Sequence, residues 1–280
     1  MITPRTTGII GVHLWGRPCE VESLAEVARR RNLKLLYDAA HAFACSYRGR
    51  MVGSFGDAEV FSFHATKFFN TLEGGAVVTN DGDLARRVRL MKDFGFAGYD
   101  DVVCIGTNGK MSEVSAAMGL TGLESLEEFI ATNRRNYQAY RSGLRTLPGI
   151  RLIEYDENER CNYQYVIVEV EKMEAGISRD DLVGILHAEN VLARRYFYPG
   201  CHEMEPYRSY FPHAGLLLPE TQRLTGRVMS LPTGTAVGPA EISTICQVLR
   251  LVVTRASQVR KRLSQHPVDP VRPAPDRRGS

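Results

Sequence analysis

The sequence predicts an α/β fold, a mostly parallel sheet followed by a smaller α+β region. Three observations predict it. Short apolar runs of strand length alternate with longer stretches of helical spacing as far as about residue 91. Polar and charged residues follow directly on those apolar runs, where open parallel sheets place their ligands. Beyond Pro148-Gly149 the alternation changes to strands and helices in a second, smaller arrangement.

Taken in order, Gly8 to Leu14 (GIIGVHL) reads as a buried strand and Glu20 to Arg31 as a helix with apolar residues three and four apart. Leu33 to Tyr37 is a second strand, so the unit implies a parallel crossover. Strands follow at Ala58 to Phe63 and Gly75 to Thr79, then a helix from Asp81 to Met91 with Asp81 as N-cap. A helical pattern from Met111 to about Leu147 is expected to break near Gly119–Gly122. The second region predicts strands at Ile150–Ile153, Tyr163–Glu169 and Val191–Tyr196, a helix from Arg179 to Glu189, and a last helix from Pro239 to about Leu263. The expected division is 1–125, 126–264 and a Pro-rich, charged tail at 265–280 that composition marks as disordered.

Composition narrows the function. The 280 residues are 44% hydrophobic and 24% charged, which excludes chain-wide disorder and a disulfide-stapled miniprotein. The net charge of +3 arises in residues 255–280, with seven basic residues against two acidic, so the body carries no nucleic-acid-binding excess. Six scattered cysteines form neither a CxxC metal site nor a secreted disulfide framework, and no metal is expected. No apolar run is long enough to span a membrane, and MITPRTTGII builds no signal peptide. A cytoplasmic setting is the expectation.

The densest chemistry lies in Tyr37-Asp38-Ala39-Ala40-His41-Ala42, in Phe61-Ser62-Phe63-His64-Ala65-Thr66-Lys67, and in Glu73-Gly74-Gly75. Asp38 leaves an apolar strand end as a carboxylate that requires a cationic partner. Lys67 follows another strand among Phe63, Phe68 and Phe69. Desolvation there lowers a lysine's pKa and frees its amine for attack on a carbonyl. An acid that can hold a protonated ring nitrogen, beside a lysine that can join a carbonyl, is what pyridoxal phosphate chemistry requires.

The linked motifs DAAHA (38–42), YRGRMVGSFGDAEVFSFHATK (47–67), EGGAVVTND (73–81), GTNGKMSEVSAAMGL (106–120) and SLP (230–232) carry a resemblance. From about Ile2 to Arg250 the chain resembles the DegT/DnrJ/EryC1/StrS family of sugar aminotransferases, which use pyridoxal 5'-phosphate and have the fold-type-I, aspartate aminotransferase-like fold. The resemblance implies that Lys67 binds the cofactor covalently and shuttles protons. It implies that Asp38 holds the ring nitrogen, Ala40 packs on the ring, His41 bonds its hydroxyl and Ser62 binds its phosphate. Asn108 would reach the phosphate in a neighbouring protomer, making a homodimer part of the site. Each residue also has a plainer reading: His41 as a core histidine, Ser62 bonded to backbone, Asn108 shaping the GTNGK turn. His64 reads as structural, Glu73-Gly74-Gly75 as a close backbone passage. Lys110 fits substrate or solvent equally. The segment 194–208, with Tyr196 and Tyr198, resembles the family's substrate side.

The implied reaction moves an amine from an amino-acid donor, glutamate in the family, to a nucleotide-linked keto-deoxysugar, with dTDP-4-keto-6-deoxyhexose as the nearest branch. A related sugar dehydratase would carry histidine where Lys67 stands. Family members also have a substantial segment ahead of the strand matching GIIGVHL. It carries the first strands, a Gly-Thr-x-Ala helix start that cups the phosphate, and an aromatic residue stacked on the ring. The resemblance therefore implies either an N-terminally incomplete version of an active enzyme or a short, non-catalytic paralogue acting as a dimerisation partner. In both cases apolar edges and faces of the sheet are expected to lie bare.

Overall fold

A computed structural model describes residues 2–265, so the tail expected to be disordered lies outside the described residues except for Gln265. The described chain divides into two compact units. One comprises residues 2–131 with 155–164, the other 132–154 with 165–265.

In the first unit, β1 (Gly8–Val12), α1 (Val21–Arg31) and β2 (Lys34–Asp38) form the predicted strand–helix–strand unit, with β1 and β2 parallel. A small hairpin, β3 (Ser46–Tyr47) and β4 (Arg50–Met51), precedes β5 (Ala58–Ser62) and β6 (Gly75–Val78). The sheet order is β1-β2-β5-β6, with β6 antiparallel to β5. Asp81 caps α2 (Gly82–Met91), its side chain accepting from the Asp83 and Leu84 amides. A second hairpin, β7 (Phe96–Gly98) and β8 (Asp101–Val102), leads to α3 (Glu113–Glu124), capped by Ser112.

Side chains alternate across this sheet, and the two faces differ. On one, Ile9, Leu35 and Tyr37 pack against Val21, Leu24 and Ala28 of α1, and Phe61 joins Ala39, Ala42, Cys45 and Val52. On the other, Ile10, Val12, Leu36, Val60 and Val77 are 37–69% exposed. The bare apolar face anticipated from the sequence is present.

The chain enters the second unit within α4 (Leu126–Leu144). The helical stretch breaks at Ser125, not at the glycines, which stay inside α3; Gly119 and Gly122 face Thr71 and Phe69, where a side chain would not fit without a shift. Three antiparallel strands, β9 (Ile150–Leu152), β10 (Val166–Val170) and later β11 (Val228–Leu231), take the order β11-β10-β9. Between β10 and β11 lie α5 (Lys172–Ala175), α6 (Arg179–Ala188) with a Ser178–Asp181 capping box, and the short helices α7 (Tyr207–Tyr210), α8 (Ala214–Leu217) and α9 (Pro219–Thr225). The strand expected at Val191–Tyr196 reduces to a single bridge between Arg194 and Ser230. The last helix is two, α10 (Pro239–Thr254) and α11 (Ala256–Gln265), parted at Arg255. Leu144, Val168, Leu182, Leu186, Met229 and Leu249 are buried in one continuous core.

Residues 155–164 return to the first unit, which the sequence did not suggest. Local polar contacts explain it. Glu159 accepts from the Ser46 hydroxyl and the Gly49 amide. The Tyr155 hydroxyl donates to the Trp15 carbonyl at 2.9 Å, and Asn162 donates to the carbonyls of His41 and Phe43 at 2.8 and 3.0 Å.

Candidate active site

Parallel pairing of β1, β2 and β5 brings the ends of three strands side by side. Val12 is paired with Asp38, and Asp38 with Val60. The residues just beyond those ends are His13, the stretch Asp38–His41, and Ser62 with the turn to Lys67. Chain segments far apart in sequence thus meet at one edge of the sheet.

Asp38 is exposed, and its Oδ1 accepts from the Ala40 amide at 3.0 Å, which fixes the carboxylate against its own backbone. Lys67 is half-buried. Burial pushes its ammonium pKa below the ordinary lysine value, and the negative charge of Asp38 opposes that shift. The two groups therefore sense one another, as the sequence predicted. His41 is buried and feels both: burial, then the Lys67 charge, bring its pKa down to about 4, with Asp38 opposing. Its Nδ1 accepts the Trp15 amide at 3.2 Å, so the neutral ring carries its proton on Nε2.

The turn bearing Lys67 is held from beneath by aromatic packing. Phe43 stacks on Phe69 with centroids 4.6 Å apart and meets Phe63 edge-on at 5.3 Å, while Phe63 meets Phe69 at 5.1 Å. Backbone bonds from Phe63 to the Gly74 carbonyl and from Thr71 to the Phe63 carbonyl tie the turn to the EGG segment. A Cβ on Gly75 would stand 2.7 Å from the Phe61 carbonyl oxygen, and one on Gly74 2.3 Å from the Thr71 hydroxyl. Gly75 thus lets two backbones pass closely, and Gly74 leaves room for the Thr71 and Met111 side chains.

Ser62 ends β5, half-buried, and its hydroxyl accepts from the His64 amide at 3.4 Å. His64 bonds Thr66 through Nδ1 at 2.9 Å and faces Glu73 at 3.5 Å, an exposed clip beside the lysine. Asp38, His41 and Lys67 are thus brought together electrostatically, with Ala40 and Ser62 on the same strand ends. Asn108 lies elsewhere in the unit, exposed, in a turn bridged to Asp93. Lys110 binds Asp93 at 2.8 Å and lies over the Phe94 ring.

Three contributors were missed in the sequence. His13 is fully buried, stacked 4.9 Å from Tyr37, with its amide on the Asp38 carbonyl and its pKa lowered by burial to about 4. Trp15 and Asn162 anchor His41 from both sides. The histidine at the end of the first strand was a visible signal, because parallel pairing aligns strand ends. Asn162, 121 residues from His41, gave none.

The donor set suits pyridoxal phosphate: a carboxylate, a partly desolvated lysine and a buried imidazole whose proton is fixed on one nitrogen. Sheet and site together define the fold-type-I class of pyridoxal-phosphate-dependent enzymes. A model of the DegT/DnrJ/EryC1/StrS aminotransferase family matches residues 1–250, and the chain belongs to that family. It is 40% identical over 206 residues to a dTDP-4-amino-4,6-dideoxy-D-glucose transaminase of Shigella dysenteriae, covering 74% of this chain and 56% of that one. An Escherichia coli protein of the same description is 33% identical, covering 89% of this chain and 67% of its own. The crystal structure of DesI with its TDP-sugar product superposes with a TM-score of 0.87 at 52% identity, over 94% of this chain and 66% of DesI. The chain thus spans between about half and two thirds of the length of these relatives.

Proposed function

We propose that the chain serves a pyridoxal-phosphate-dependent aminotransferase that moves an amine from an amino-acid donor, glutamate foremost, to a nucleotide-linked 4-keto-6-deoxyhexose. The observation that carries the reading is the coupled pair Asp38 and Lys67 at adjoining strand ends, inside a family-specific run of motifs. The dTDP-linked activity named for two relatives supports the substrate class.

The cofactor, when bound, supplies an electron sink that makes the hydrogen on the amine-bearing carbon acidic. Asp38 would hold its ring nitrogen with the oxygen left open by the Ala40 amide. His41 would donate from Nε2, Ala40 would pack against the ring, and Ser62 would bind the phosphate. Lys67, whose burial favours the neutral amine, takes a proton from the amine-bearing carbon and returns it in the opposite half-reaction. Alternation of donor and acceptor at one site gives ping-pong kinetics.

A homodimer belongs to the same reading, with Asn108 acting in the partner's site. Apolar side chains crowd this part of the first unit: Tyr99 is fully exposed, Ile105 95% and Val114 69%. A patch of that kind marks an interaction surface.

The test is to incubate the purified chain with pyridoxal phosphate, record near-visible absorbance, reduce with borohydride and map the modified peptide. Cofactor fixed on Lys67, followed in unreduced protein by glutamate-dependent loss of the absorbance, is the expected result. A folded chain with no label on Lys67 overturns the proposal. Sedimentation analysis reads the dimer separately.

A further inference from the structure

Charge in the second unit is unevenly placed. From Ile242 to Gln265 the chain carries the cations Arg250, Arg255, Arg260, Lys261 and Arg262 and no carboxylate. Arg250 is held within its own unit, donating to the Thr146 hydroxyl at 3.3 Å and the Gly143 carbonyl at 3.1 Å. The other four are exposed and make no ion pair among the described residues. Elsewhere in the unit exposed cations are matched: Arg208 meets Glu205 at 2.7 Å, and Arg223 meets Glu169 and Glu220, each at 3.0 Å.

The helix α11 arranges these charges. Ala256 is buried, and Val259 and Leu263 on the same stripe pack against the core, so one side of the helix faces inward. Arg260, Lys261 and Arg262 lie on the rest of its circumference, with Arg255 just before its start. Cations near a helix C-terminus offset the macrodipole, which favours Lys261 and Arg262. It does not call for the absence of every acid, because a carboxylate one turn away would stabilise the helix further. The remaining exposed positions, Ser257, Gln258, Ser264 and Gln265, are all neutral.

An uncompensated cationic side suits a surface of negative charge. Between nucleic acid and lipid, two features favour lipid. No aromatic residue stands between Ile242 and Gln265 to stack on bases. Leu251, 53% exposed, lies one turn before Arg255, whose amide bonds its carbonyl, and places an apolar side chain beside the charges where it can enter a headgroup boundary. We propose that α11 with Arg255 is a docking surface for an anionic membrane. No helix among the described residues is long and apolar enough to cross a membrane, so the second unit lies on the lipid without spanning it. The attraction answers to charge density, not to headgroup shape.

The test is co-sedimentation of the full chain with vesicles of phosphatidylcholine, alone or mixed with phosphatidylglycerol. Binding is expected only to the mixed vesicles and should fall as added salt shortens the reach of the charges. Neutralising three cations together, Arg260→Gln, Lys261→Gln and Arg262→Gln, should weaken it roughly a hundredfold, at about fivefold for each. Circular dichroism should show that variant folded. Arg260→Lys with Arg262→Lys should bind within about twofold of wild type, since a lipid surface needs the charge and not the guanidinium. Equal binding to both kinds of vesicle, a neutralised variant that binds like wild type, or a lysine variant that does not, overturns the proposal. Retention on duplex DNA under conditions where mixed vesicles fail to bind assigns the charges to nucleic acid and overturns it too. Arg277→Gln with Arg278→Gln is the control outside the described residues: loss of binding there, with none in the α11 variant, also sinks the assignment to α11.

Discussion

The two sheets of this protein are built to different standards of cover. In the second unit, β10 is central in an antiparallel sheet whose residues Val166, Val168, Met229 and Leu231 are all at most 2% exposed, backed by α6 and α10. In the first unit, one face of the sheet is packed by α1, while Ile10, Val12, Leu36, Val60 and Val77 remain bare on the other. The candidate chemistry belongs to the barer sheet. The difference teaches that stability and reactivity are separable here. The main core of the second unit is an apolar cluster, to which Asn136 and Arg179 add buried polar side chains. The strand ends of the first gather a carboxylate beside two histidines and a lysine, and burial pulls the pKa values of those three basic groups down.

The largest expected effect is on chemistry alone. Lys67→Ala should lower transamination by about 10³-fold or more, in the range for losing a general acid–base. Borohydride labelling should vanish, and the unfolding midpoint should stay near that of wild type. A variant that still turns over would break the assignment.

Next comes the reverse case, in the well-covered unit. Leu249 is fully buried in α10, and Leu249→Ala should cost about 2–5 kcal/mol in denaturant unfolding. Cofactor labelling of the folded fraction should persist. If labelling fell in step with stability, the two units would not be separable.

A smaller effect distinguishes buried charge from buried apolar surface. Glu59 is fully buried on β5, and burial pushes its carboxyl up to about 7, against two backbone amides that favour the ionised form. A raised folded-state pKa means that its contribution is present below the unfolded value near 4.5 and is lost as pH rises through about 7. Buried His13 behaves oppositely. Its lowered pKa gives a contribution present above about 6.5 and lost as pH falls through about 4. Glu59→Gln should therefore gain about 1–3 kcal/mol on wild type between pH 5 and pH 8. Thermal midpoints across that range check it, and an equal offset at both ends would refute it.

The smallest effect tests the bare face. Ile10→Lys should change the stability of the chain by no more than about 0.5 kcal/mol, because the side chain is already 69% exposed. A loss of several kcal/mol would mean that this face is covered in solution.

Much of the site was legible because it is local. DAAHA and SFHATK each sit directly after a strand, so strand pairing alone brings Asp38 near Lys67, and Asp81 caps its helix as its position promised. What was illegible depended on distant partners. Nothing near Trp15 or Asn162 announces that both hold His41. Gly119 and Gly122 argued for a break in the helical pattern, but both stay inside α3, where they allow close approach of Thr71 and Phe69. The run Val191–Tyr196 has strand composition yet finds only Ser230 to pair with.

The sequence by itself determined the α/β class, the strands of the first sheet and which candidate residues stand at their ends, since these follow from periodicity and from which side chains succeed an apolar run. The tertiary structure decided which nitrogen of His41 carries the proton, that Glu59 and His13 are buried, and that one sheet face is bare. Those are properties of what packs beside a residue, and packing joins segments that sequence order keeps apart.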